Sequence, residues 1–491
     1  MAEDFTPATT GATLAAMAPG AVRQLWQKGV MVAEQSEDFF MKLESSSAQG
    51  VIGVKTDTAK GGGQKITFTN MSGFYGEGKR GEERFDGPED YEQARINSYD
   101  LDVDWIRNAF SINQRAEEVM GMRNEIKSGL NVELGKWLGR YKTEQMLGTT
   151  QLRLNAANIL YAGGKTLNTL SSADALLWDE IVTAGQAMKP LGGRPANVGR
   201  GTGGPIWSQC VVATEAALTS LKLDPDYKDI LAVADTVGAK NTLFSGGYRD
   251  IDGHTIMPYN PIDHDGIGAV GSFLNPKAYL GAAVTAGTTT FDVLGGGNPT
   301  DGALTSVLYF KYFAGHAFKF VDGTTFSPTS TTGYFLIYNL TGADAGKVGM
   351  YSYTTTAAGN NGNKLVVLGR LGSAAAGIRV TTLGDVTWNT GVWSGKHTDA
   401  HPEGSLVIPC NSKGVPIGDT LILGRLAIMR GYGMYRGHRS QDSQEGGFIK
   451  QGYITSVFGQ KIRENRQQRH PGIIRLRHAV SYPGVALPVV A

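Results

Sequence analysis

Between residues 73 and 95 the chain has almost no aliphatic side chain to bury: it reads Gly-Phe-Tyr-Gly-Glu-Gly-Lys-Arg-Gly-Glu-Glu-Arg-Phe-Asp-Gly-Pro and then turns acidic. A stretch of this length with nothing to place in a core predicts a projecting loop. Directly after it, Tyr99, Leu101, Val103 and Trp105 alternate with Asp100, Asp102 and Asp104, the period of a strand with one buried and one charged face. Ahead of it, the runs 51–54 and 66–68 are β-prone and are split by the polar, glycine-rich segment 60–64. Strand, loop and strand together predict a long β-hairpin arm.

The next segment changes period. Val119, Met122, Ile126, Leu130, Leu134, Trp137, Leu138 and Tyr141 are spaced by threes and fours, which predicts a helix over 113–147, on the order of 50 Å long at about 1.5 Å per residue. Arg123, Glu125, Lys127, Glu133, Lys136, Arg140 and Lys142 would form its solvent face. Earlier, a Thr, Ala and Gly mixture leads into a helix expected over 19–43, an arm with one anchoring helix. Later, a helix over 173–188 would start after Ser171 and Ser172, bury Leu177, Ile181 and Ala184, and stop at Pro190. A buried strand is expected over 206–213, with Thr214 capping a helix through residue 221.

From about 277 to 411 charge becomes sparse, and the runs 307–313, 334–338, 347–353, 364–368 and 378–382 read as part of six or more strands. An inserted sandwich or barrel is the expectation. Segments 420–429 and 452–458 resume a buried-strand pattern. The following stretch, 461–477, is basic: Arg463, Arg466, Arg469, Arg475 and Arg477 stand against Glu464 alone. These arginines could face DNA, or pair with the acidic loop around Glu82, Glu83, Asp86, Glu89 and Asp90 of another copy. Pairing between copies is the favoured reading.

Length and composition bound the function. A chain of 491 residues should hold two to four compact units. Its 67 glycines favour a strand- and loop-rich protein over a helical one. A formal net charge of +1 argues against a protein whose main work is neutralising phosphates. Cys210 and Cys410, each within an apolar run, are expected to be buried thiols in a reducing compartment. Without a basic-then-apolar start or a long apolar run, the chain is expected to be made in the cytoplasm with no membrane partner.

Motifs that would carry chemistry are incomplete. Residues 199–204, Gly-Arg-Gly-Thr-Gly-Gly, match the dinucleotide fingerprint by letter, but Pro205 and a strand follow where a helix N-terminus is needed. Gly164-Lys165-Thr166 ends like a phosphate loop whose first glycine would fall at Ile159. His397 and His401 flank Asp399 beside Gly395 and Pro402, so exposed loop histidines are expected instead of a metal pair. Asp100, Asp102 and Asp104 open like a calcium loop, yet Trp105 occupies the place where the sharp turn needs glycine. Asp263-His264-Asp265 has no nucleophile at hand. No enzyme, cofactor or metal site is expected.

The order of arm, charged hairpin, long helix, mixed domain, insertion and returning strands resembles the tailed-phage capsid subunit, the Hong Kong 97-type α+β fold shared with herpesvirus shells. More narrowly it is similar to the major capsid family of N-four-like phages. Residues 99–110 running into Arg115 and the helix carry the likeness, with Leu243-Phe244-Ser245-Gly246-Gly247 leading to Asp252-Gly253-His254, and the closing segment 461–482. It covers about 95–275 and 413–485.

The resemblance implies an N-terminal arm (1–48), an extended β-hairpin loop with flanking strands (49–110), and a peripheral domain with a spine helix (111–165). It further implies a two-part axial domain (166–277 and 413–458), an inserted β-rich domain (278–412) and a peripheral return strand (459–491). By the same likeness the protein would form hexamers and pentamers of an icosahedral shell around double-stranded DNA, held without sequence specificity. Scaffolding, portal and decoration proteins would be its partners, and assembly in a bacterial host cytoplasm would place it in the virion. The residues expected between subunits are Tyr75, Glu77, Lys79, Arg80, Glu82, Glu83, Arg84 and Asp86 of the hairpin, with the five arginines of the basic stretch. A loop rich in both charges gains little from its own subunit and more when laid across a neighbour. A tail sheath or tube protein and a glycan-binding surface protein are the rival readings.

Overall fold

The computed structural model describes residues 38–481 apart from 48, 57–64, 72–78, 81, 85–90, 92–95, 114–122, 202–203, 236–249, 252, 260–272, 276, 286–289, 295–317, 327–331, 355–363, 372–397, 399, 445–448 and 466–468. The fold is α+β, and among the described residues its strands form two large sheets, a closed barrel and two two-stranded sheets.

The first sheet has five strands in the order Glu44–Ser45, Ile52–Lys55, Ile428–Gln444, Ile449–Ile462 and Asp104–Asn113. Helix α1, Arg123–Leu152, lies on it. Leu134 and Leu138 pack with Ile454, flanked by Trp137 and Phe110, and Tyr141 meets Phe458 edge to face at 6.5 Å. Those apolar positions are where the spacing placed them. Ile126 and Leu130 lie on the helix, whereas Val119 and Met122 are outside the described residues.

Two expectations for this helix are corrected. Residue 113 is the end of a strand, because Asp104–Asn113 pairs residue by residue with Ile449–Phe458, and that ladder extends strand where an isolated segment would turn helical. Lys142, assigned to the solvent face, is buried, its ammonium 5.1 Å from the Tyr432 ring and 5.4 Å from the Phe458 ring. The last turns are enclosed on all sides, so no wet face remains there.

The second sheet runs Ile159–Tyr161, Ile473–Ala479, Ile417–Leu423, Gly204–Ala213, His254–Pro258 and Asp250–Ile251, with Ala196–Gly201 paired to the start of Gly204–Ala213. Helices α2 (Trp178–Met188), α3 (Glu215–Leu223) and α4 (Pro225–Asp235) accompany it. Ile181 and Leu218 enter the same buried cluster as Val211, Ile422 and Ile474. Helix α2 begins at Trp178, not near Ser172: the Trp178 N–H donates to Asp224 Oδ2 at 2.7 Å, so its cap comes from the residue after α3. Leu177, expected inside, is exposed just ahead of that start.

The expected strand 420–429 is two strands. Ile417–Leu423 ends, Leu426 takes a left-handed φ of 51°, and the chain passes into Ile428–Gln444 of the other sheet. Successive amides at this corner are fixed by three other segments: Gly424 donates to Gly472 O (2.8 Å), Arg425 to Arg194 O (2.7 Å), Leu426 to Gly50 O and Ala427 to Val51 O (both 2.9 Å). Ile428–Gln444 and Ile449–Ile462 lie in the sheet under α1, and Ile473–Ala479 lies in the other sheet.

Six strands close a barrel in the order Ala278–Leu280, Thr290–Leu294, Lys364–Leu371, Val348–Thr354, Thr332–Tyr338 and Leu406–Cys410. Phe335 and Ile337 join the inner cluster with Phe291, Tyr351 and Val407. Their neighbours Leu336 and Tyr338 belong to a second cluster that includes Ala216 of α3 and Val480. Residues 307–313 and 378–382 are outside the described residues, as is 1–37 with most of the expected anchoring helix; what is described of it is a 3-10 turn, Phe39–Leu43. Cys210 and Cys410 are buried and are not joined in a disulfide.

Candidate inter-subunit surface

Strand Lys65–Met71 pairs antiparallel with Ile96–Asp102, closing the root of the hairpin arm. Phe68 stacks on its cross-strand partner Tyr99 with ring centroids 5.7 Å apart, and Lys55 Nζ lies 5.7 Å from the Phe68 ring while donating to Thr67 O at 2.9 Å. On the charged face Thr67 Oγ1 donates to Asp100 Oδ1 (2.7 Å) and Lys65 lies 3.7 Å from Asp102. Asp100 and Asp102 therefore lie on the polar face of a strand. Ile66, Leu101 and Val103 pack with Val457, and a Cβ on Gly431 would run into Ile66 and Leu101, so the root rests on its own sheet.

The tip is built differently. Lys79, Arg80, Glu82, Glu83 and Arg84 are exposed, organised by a turn in which the Arg80 N–H donates to Glu83 Oε2 (3.2 Å) and the Glu83 N–H to Arg80 O (3.3 Å). Tyr75, Glu77 and Asp86 lie outside the described residues. On the returning limb Tyr91 and Ile96 are about 60% exposed, at 60% and 63%.

Trp105 is corrected. It is 55% exposed, although Leu101 and Val103 before it are buried. The ladder changes partner between Asp102 and Asp104, and the inward set becomes Ile106 and Phe110. A slip of one residue sends every following side chain to the opposite face. Asp104–Asn113 is also the margin of its sheet, paired only with Ile449–Ile462 among the described residues, with Arg107, Ala109 and Ser111 exposed. Such an edge is a template for another strand.

The basic stretch divides. Arg469 is exposed, its N–H donating to Asn465 Oδ1 at 2.9 Å, and Arg466 is outside the described residues. Arg463 lies near Tyr99 at the arm's root, and burial lowers its pKa from the usual guanidinium value. Burial likewise pushes the Tyr99 hydroxyl up to about 12, against the pull of Arg463.

Arg475 and Arg477 are corrected. Arg475 is buried, donating to Asp419 Oδ2 (2.6 Å) and Gln151 O (3.0 Å), and Arg477 Nε lies 3.2 Å from Asp419 Oδ1. Burial alone would raise the pKa of Asp419, but the two guanidinium groups hold it below the usual carboxylate value. These two arginines serve their own subunit. The signal was a lone acid in the apolar run Ile417–Leu423, which needs a buried partner.

The remaining motifs are structural. Gly199–Gly201 and Gly204 are on paired strands of a hairpin. Lys165 bonds Asp174 at 2.8 Å. His401, expected to be exposed, is buried in the barrel region, Nε2 2.6 Å from the Tyr351 hydroxyl and Nδ1 2.6 Å from Asn339 Oδ1. His397, Asp399, Asp263, His264 and Asp265 are outside the described residues, as are Leu243–Gly247 and Asp252 of the resemblance. Among the described residues no group of three or more His, Cys, Asp or Glu side chains could hold a metal, and no helix is long and apolar enough to cross a membrane.

No protein-family model and no curated protein matches the chain. Solved structures do. The capsid of Ralstonia phage GP4 superposes with a TM-score of 0.53 at 12% identity, over 94% of this chain and 96% of that one. The capsid of cyanophage Pam1 gives 0.52 at 8% identity over 95% and 98%, and the head of Helicobacter pylori bacteriophage KHP40 gives 0.51 at 10% identity over 98% of each. The likeness is one of fold, and the fold is the α+β, Hong Kong 97-type fold of phage capsids.

Proposed function

We propose that this chain, which has the phage-capsid fold, is a tailed-phage major capsid protein whose copies form the hexamers and pentamers of an icosahedral shell around double-stranded DNA. The observation that carries the reading is the division of the hairpin: a root packed on its own sheet and a tip of five exposed, oppositely charged side chains. Exposed charges of this kind gain little while hydrated on their own subunit and more, through ion pairs and backbone hydrogen bonds, when laid across another copy. The open edge Asp104–Asn113 is a surface of the complementary kind. An arm on one side and an acceptor on another make a head-to-tail contact, which closes into rings when the rotation allows. Repetition then multiplies weak contacts into a durable shell.

Scaffolding, portal and decoration proteins, and DNA held without sequence specificity, are the partners this role implies; the virion is the destination, after assembly in the host cytoplasm. Electron microscopy of the purified full chain, alone and with a scaffolding partner, tests it. Closed shells are expected. Helical tubes, or a monomer under every assembly condition, would overturn the reading.

A further inference from the structure

The segment 318–326 lies between barrel strands in the sequence, but among the described residues its buried side chains cluster with the body and not with the barrel's inner residues. Its two short strands, Phe318–Lys319 and Thr325–Phe326, pair with each other and turn at Gly323, whose φ is 79°. Phe318 and Phe320 are buried with Met146, Leu147 and Phe273, and Val321 with Tyr432 and Phe458.

The segment is fitted to the end of helix α1 at separate points. A glycine in a helix interior weakens the helix relative to alanine, yet Gly148 stands there, and a Cβ on it would overlap the Phe318 ring. Phe318 in turn meets Phe320 and Phe273 edge to face at 4.9 and 5.5 Å. Gln145 Nε2 donates to Lys319 O at 3.2 Å. Just past the helix, Arg153 grips Asp322 with both Nη atoms, at 2.7 and 3.1 Å, and its guanidinium lies 3.7 Å from the Phe320 ring centroid. A forked ion pair stacked on an aromatic ring fixes direction as well as distance.

We propose that residues 318–326 are a strap by which the barrel region holds the C-terminal end of helix α1 in place, so that the insertion governs the helix instead of riding on the body. This concerns the single subunit and does not depend on the capsid reading.

Hydrogen exchange on the full chain tests it. In Phe318→Ala and in the milder Asp322→Asn, amides of 141–152 should exchange at least about tenfold faster, equivalent to roughly 1.4 kcal/mol, while Leu406–Cys410 and Ile473–Ala479 keep their protection. Gly148→Ala should lower Tm by itself and cease to do so when combined with Phe318→Leu, which vacates the ring's space. If Phe318→Ala does not fold, Asp322→Asn and the Gly148 pair carry the test. An unchanged helix end, faster exchange spread evenly over the chain, or the same Gly148→Ala effect in both backgrounds would overturn the strap.

Discussion

Glu144 is a buried carboxyl near the end of α1, its Oε1 accepting from the Tyr259 hydroxyl at 3.1 Å. Burial pushes its pKa up to about 7 from the ordinary 4.5, against opposing pulls from Tyr259 and Arg140. The folded chain thus favours the protonated form. This contribution to stability is full below the ordinary value and is lost as pH rises through about 7. Urea unfolding at about pH 5 and about pH 9 should show this loss in the native chain, and Glu144→Gln should flatten it.

Arg430 is the opposite case, a buried cation that Asp38 Oδ2 (2.7 Å) and Glu44 Oε1 (2.6 Å) both satisfy at one nitrogen. Arg430→Met would leave two carboxylates facing each other in a dry site and should cost about 3–5 kcal/mol in chemical denaturation. Neither site could be read from the sequence. Asp38 and Arg430 are separated by 392 positions, and nothing local marks either as the other's partner. Lys142 was misjudged for a related reason, since helical spacing says which residues share a face but not whether a second layer covers the polar one.

Among the elements, the hairpin arm and the long helix were the most legible, because each shows its own period over enough residues to exclude the other. Their ends were not: strand Asp104–Asn113 runs beyond its alternation only because Ile449–Ile462 supplies the ladder. The arm also carries a prediction. Glu82→Lys alters one exposed side chain, so the monomer's stability should stay within about 0.5 kcal/mol. Assembly followed by light scattering should nonetheless need a higher protein concentration. A shift in Tm with assembly unaltered would mean that the tip serves its own subunit.

For the molecule as a whole, the barrel strands Ala278–Leu280, Thr290–Leu294 and Leu406–Cys410 went unread, but Thr332–Tyr338, Val348–Thr354 and Lys364–Leu371 were readable from the glycine-separated apolar runs 334–338, 347–353 and 364–368. Sheet membership of the later strands was not, since it turns on the corner at Leu426, where no glycine, proline or asparagine marks the reversal at that residue. Deleting 278–412 should give a chain that aggregates on expression, because Met146, Leu147 and Phe273 lose the aromatic cover of Phe318 and Phe320. A well-folded monomer by size exclusion and circular dichroism would contradict this.

The corner has a further consequence. With four consecutive amides each tied to a different point of the chain, it resists flexing between the sheets, and the subunit should turn as one stiff tile. In the proposed shell, differences of curvature between five-fold and six-fold positions would then be absorbed by the projecting limb and not within the body. Superposing subunits from the two environments of an imaged shell should align both sheets together and leave the deviation in the hairpin.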